Sequence, residues 1–79
     1  MRANETMAMF LDEPQALKDR KLFVHNLGVL LNQTRENVIS CELNDNEIVI
    51  VKFKGGIEKR VNVNFDSYFA IIKDVMNVI

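Results

Sequence analysis

Tryptophan is absent from this chain, and cysteine, histidine, proline and tyrosine each occur once. A lone Cys41 excludes an intramolecular disulfide, and one cysteine with one histidine cannot close a zinc site without outside ligands. Glycine is scarce too. The pair Gly55-Gly56 is not followed by the lysine-bearing helix start that a phosphate loop requires. No apolar run approaches the roughly 20 residues that a membrane-crossing helix needs. The N-terminus lacks the basic start, apolar stretch and small-residue cleavage site of a secretory leader. No charge excess stands out, since the net charge is −1 and the pI about 5.7. What remains is an ordinary globular balance, 48% hydrophobic and 27% charged, without repeats or low-complexity stretches. One domain over residues 1–79 is expected, in the cytoplasm, with no membrane contact and no cofactor.

The stretch Glu47 to Phe65 reads as a β-hairpin, because two apolar-rich runs flank Gly55-Gly56. A strict two-residue turn would set Val49, Val51 and Phe53 beside Glu58, Arg60, Asn62 and Asn64, mixing polar and apolar groups on both faces. One more loop residue shifts the parity. Val49, Val51 and Phe53 then share a face with Val61, Val63 and Phe65, while Lys52 and Lys54 join Glu58 and Arg60. A one-residue slip turns every side chain over, so a buried face selects the odd loop.

Upstream, Val38 to Leu43 alternates imperfectly and ends at Asn44-Asp45-Asn46, residues that tolerate turn conformations. With that loop, Ile39, Cys41 and Leu43 land beside Val49 and Val51. The fold class expected is therefore α+β. An N-terminal helix, or helix pair, precedes a three-stranded antiparallel β-meander over 37–65, and a C-terminal helix over 66–79 packs on one sheet face.

Pro14 suits the first turn of a helix over 14–32, with Leu17, Val24, Leu27 and Leu31 as its stripe and Phe23 and Leu30 beside them. Gly28 costs that helix roughly 1 kcal/mol relative to alanine. The alternative ends the helix at Leu27 with Gly28 as its cap. The longer helix is preferred. Residues 1–13 form a short helix or arm, in which Asn4 to Leu11 places Met7, Phe10 and Leu11 on one side. At the other end, Asp66 or Asn64 caps a helix whose stripe is Phe69, Ile72, Met76 and Ile79, widened by Tyr68, Ile71 and Val75.

Chemistry-bearing groups are few. Cys41 falls mid-strand on the buried face, where a free cysteine acts as a small hydrophobe rather than a thiolate. His25 lies at the edge of the helical stripe with no nucleophile beside it. The carboxylates Asp12-Glu13 and Asp45-Glu47 sit at a helix entrance and a turn, where capping and solvation account for them. An enzyme is not expected.

Two binding readings compete. On the outer sheet face Val38, Ile48 and Ile50 make a possible protein interface, and a chain this small gains from a partner that finishes its core. Against that stands a possible nucleic-acid contact, with Lys52, Lys54 and Arg60 at one end of the outer face and Lys59 on the neighbouring side. Lys18, Arg20 and Lys21 add a second basic cluster on the long helix. No aromatic stands on that face to stack a base. The helix–three strands–helix order resembles the double-stranded-RNA-binding domain over most of the chain. The resemblance is one of fold. Where that family has a basic cluster at the start of its last helix, this chain has Asp66-Ser67-Tyr68-Phe69, and Asn44-Asp45-Asn46 replaces its groove-entering loop. The function expected is a small protein-interaction or structural accessory module that self-associates as a homodimer. Weak nucleic-acid binding is the alternative.

Overall fold

The structure, a computed structural model, describes residues 13–79. Helix α1 spans Gln15–Thr34, strands β1, β2 and β3 span Val38–Leu43, Ile48–Phe53 and Glu58–Asn62, and helix α2 spans Tyr68–Met76. The strands form one open antiparallel sheet in the order β1-β2-β3. The fold is thus the α+β arrangement expected from the hydrophobic pattern. The expected helix or arm over 1–13 lies, apart from Glu13, outside the described residues. No helix among the described residues is long and apolar enough to cross a membrane.

Both hairpin loops hold three residues, which sets the parity. Phe53 N donates to Ile57 O at 2.8 Å around Lys54-Gly55-Gly56, and both glycines take positive φ, 86° and 80°. Val49 therefore faces Val61, and Val51 faces Lys59, on one side of the sheet. In the first hairpin Asn44 N donates to Ile48 O at 3.0 Å, and the Asn44 carboxamide accepts from the amides of Asn46 and Ile48. The loop is Asp45-Asn46-Glu47, one residue later than expected, with Glu47 in the left-handed region at φ 58°.

Strand β1 departs from simple alternation. Val38 pairs with Phe53 and Ser40 with Lys52, so Ile39 is an unpaired bulge residue. The bulge turns Val38 inward, where it is fully buried, and leaves Ile39 48% exposed on the outer side. This reverses the expected placement of both residues. The core joins Val24 and Leu31 of α1, Ile71 and Val75 of α2, and Val38, Cys41, Leu43, Val49, Val51, Phe53 and Val63 from the sheet and its margin. Each such side chain removed from water contributes roughly 1.5–3 kcal/mol before entropy is counted.

Helix α1 runs through Gly28 without a break and ends two residues beyond the expected Asn32. Its exit is tied to the sheet by Asn32, whose amide donates to Val38 O at 2.9 Å. Helix α2 is capped by neither Asp66 nor Asn64. The Ser67 hydroxyl accepts from Ala70 N at 3.1 Å.

Arg20 fastens the near end of the molecule. Its guanidinium donates to Glu47 Oε1 at 2.7 Å, to Val63 O at 2.7 Å and to Asp66 O at 2.5 Å. One planar fork thereby joins α1, the β1–β2 loop and the segment before α2.

Candidate interaction surface

The β3–α2 connection is a tight turn. Asp66 N donates to Val63 O at 2.9 Å, and Phe65, the third residue, has φ 70°. That position in a type II turn favours glycine or asparagine, because a side chain there meets the backbone. Phe65 occupies it and is 96% exposed. An aromatic ring is held outward on strained backbone, with almost no burial among the described residues. It was expected on the inner sheet face. The strand ends at Asn62, and the turn carries Phe65 away from that face.

Helix α2 turns a different side to the sheet than expected. Ile71 and Val75 are fully buried, whereas Phe69 is 76% exposed and Ile72 and Met76 are also exposed. The phase is set where the Ser67 cap starts the helix and the Tyr68 ring meets Phe23 of α1, with centroids 4.7 Å apart and planes at 48°. Phe69, Ile72 and Met76 recur at three-and-four spacing and so share one apolar stripe, with the exposed Lys73 at its edge, four residues after Phe69 and three before Met76. A cleft of about 300 Å³ opens near the other end of α2, lined by Phe53, Ile57, Lys59, Val78 and Ile79 among others.

The outer sheet face keeps three apolar residues but not the expected three, since Ile39, 48% exposed, takes the place of Val38. Val38 is in the core, and Ile48 and Ile50 are half-buried opposite Asn62 and Arg60. Glu42 pairs with Ile50 on the other side.

Among the candidate cations, Arg20, Lys21 and Arg60 hold carboxylates and Lys59 holds a carbonyl. Glu58 stands opposite Lys52 and also meets Arg60 at 3.3 Å, so one carboxylate separates the two outer-face cations. Lys59 lies on the inner side, its Nζ 5.4 Å from the Phe53 ring centroid and donating to Val78 O at 2.9 Å. Lys54 is in the hairpin loop and exposed. On α1, Lys21 bridges Glu13 and Asp45 at 2.5 Å each, and these two bonds, Asp45 first, raise its pKa. Arg20 is engaged as described. The structure does not gather these cations into one free patch.

Cys41 has no exposed surface, and burial, with a smaller effect from Glu42, pushes its thiol up to about 11. His25 Nδ1 lies 2.8 Å from Glu42 Oε2 at an exposed edge. Among the described residues no group of three potential ligands is arranged to hold a metal. The Asp66 carboxyl lies against that of Asp74, and its Oδ2 is enclosed without a hydrogen-bond donor. Its pKa is raised, first by the bond to Asp74, then by enclosure and the Asp74 charge, with Arg20 opposing.

The exposed stripe was missed in the sequence because α2 is apolar over a broad arc, of which only part meets the sheet. A signal was present: Phe69 and Ile72 flank Ala70-Ile71, a run with no polar residue to mark a solvent side. Comparison with protein-family models, with curated proteins and with solved structures finds no match for this chain.

Proposed function

We propose that this chain is a small protein-interaction module that acts by self-association. The observation that carries the reading is the stripe of Phe69, Ile72 and Met76, exposed among the described residues, together with the exposed Phe65 that precedes the helix. Scattered apolar residues on a surface are ordinary, but three on one helix face, preceded by an almost wholly exposed Phe65, favour burial against another chain. A second copy is the simplest partner, since it presents the same apolar stripe. The size of the chain supports this, as a core of under about 80 residues rarely yields more than roughly 3–5 kcal/mol unaided. The enclosed single cysteine suits a reducing compartment, and the cytoplasm is the location we assign.

Sedimentation equilibrium over a wide concentration range tests the reading. The expected result is a dimer that dissociates on dilution and is unaffected by duplex DNA or RNA at physiological salt. A monomer at every concentration would refute it. A salt-sensitive complex with duplex, lost when Lys52 and Arg60 are reversed, would put nucleic-acid binding in its place.

A further inference from the structure

Going beyond self-association, we propose that the cleft between the β2–β3 loop and the residues after α2 binds a small aliphatic carboxylate. The cleft holds about 300 Å³, the lower end of the roughly 300–1,000 Å³ range of small-molecule sites. That volume suits one short acyl chain rather than a larger ligand. The walls and the charge of the cleft decide the chemistry.

The walls are aliphatic. Ile57, 58% exposed, stands at the hairpin, and the half-buried Val78 and Ile79 follow α2. Phe53 also lines the cleft, but it offers no open ring face for stacking. The Lys59 ammonium stands over the ring, 5.4 Å from its centroid, and only 7% of the residue is exposed. An aromatic ligand gains little there, whereas a hydrocarbon chain buries apolar surface against Ile57, Val78 and Ile79.

The polar side chains at the cleft are donors. Lys54 and Lys59 line it with the exposed Asn37, and no carboxylate side chain does. Two other clefts, one beside Lys52 and one beside His25, each include a carboxylate, Glu58 and Glu42 respectively. Among the described residues no carboxylate lies within ion-pair distance of Lys54 or Lys59. Lys59 is oriented by donating one N–H to Val78 O at 2.9 Å, which leaves two donors for a ligand. Two cations and a carboxamide beside an apolar wall complement an anionic head on a hydrocarbon tail and oppose a cationic one.

Amide NMR titration with octanoate tests the site, with octanol and octylammonium carrying the same chain on a neutral and a cationic head. Octanoate should shift the amides of Phe53, Ile57 and Val78 saturably. Exposed ion pairs are individually weak, so two of them should make octanoate bind roughly 2- to 30-fold tighter than octanol, with octylammonium weaker still. The preference should shrink as salt is added. Lys54→Gln with Lys59→Gln, both at exposed positions, should bring octanoate down to the affinity of octanol and leave the rest of the spectrum in place. Ile57→Ser should weaken all three probes. The head-group comparison uses the wild type alone, so it decides even where a variant is destabilised. Equal affinity for octanoate and octylammonium, or no saturation by octanoate below its micelle-forming concentration, would overturn the proposal. Shifts that follow Phe69 and Ile72 instead would overturn it too.

Discussion

Gly28 passes so close to Cys41 that a Cβ built on the glycine would lie 2.4 Å from the Cys41 amide nitrogen. Helix α1 meets strand β1 at this point, and hydrogen is the only side chain that fits. The glycine that weakens the helix locally is what lets the helix settle on the sheet.

Gly28→Ala should therefore destabilise the fold despite alanine's better helix propensity. The helix gains about 1 kcal/mol. The clash is with backbone, which cannot rotate aside, and overpacking of this kind costs typically 1–3 kcal/mol, occasionally more. Thermal or urea melts should show a net loss of about 1–2 kcal/mol. An unchanged or raised melting temperature would mean that α1 and β1 do not approach as described.

Phe65→Gly should do the opposite. A side chain in the left-handed region costs roughly 1–2 kcal/mol, and Phe65 returns almost no burial among the described residues. Glycine's larger unfolded entropy takes back roughly half of the gain. Melts of dilute protein should show stabilisation of up to about 1 kcal/mol, together with weaker self-association. A loss of stability at dilution would assign Phe65 a role within its own chain.

The parity of the sheet was legible in the sequence because Gly55-Gly56 marks a loop and only an odd loop gathers Val49, Val51 and Phe53 with Val61. The face of β1 was only half legible. Val38 and Ile39 are adjacent β-branched residues, and pairing to Phe53 and Lys52, not composition, selects which turns inward. The orientation of α2 was not legible. Tyr68, Phe69, Ile71, Ile72, Val75 and Met76 suit a core equally well, and contact with Phe23 decides among them. The same ambiguity hid the candidate surface, since residues meant for a partner look like residues meant for a core.

Asp66 makes stability depend on pH. Its carboxyl pKa is raised from the ordinary value in the folded chain, first by the bond to Asp74. The native state then holds a proton that the unfolded state has released, so stability is fullest below the ordinary carboxyl pKa and is lost as pH rises through the folded value. Asp74→Asn supplies a donor for the enclosed Oδ2 and removes the repulsion. It should be more stable than wild type at neutral pH, with the advantage shrinking as the pH falls. An advantage that is the same at all pH values would separate Asp74 from Asp66.

Cys41 should react slowly with a bulky thiol reagent in the folded protein and quickly in denaturant. Its sulfur is both inaccessible and, with a thiol pKa of about 11, scarcely ionised at neutral pH. Labelling at equal rates in both states would mean that β1 opens readily, and would return the thiol to consideration as a reactive group.

The most direct test of the central claim is the solution mass of two variants measured beside the wild type by sedimentation equilibrium. Phe69→Glu places a charge in the exposed stripe at a side chain that is 76% exposed. Ile48→Glu with Ile50→Lys alters the outer sheet face instead. The expected result is that Phe69→Glu sediments as a monomer with unchanged circular dichroism, while the sheet variant keeps the dimer mass of the wild type. A Phe69→Glu protein that remains dimeric, while the sheet variant dissociates, would contradict the account and move the interface to Ile48 and Ile50.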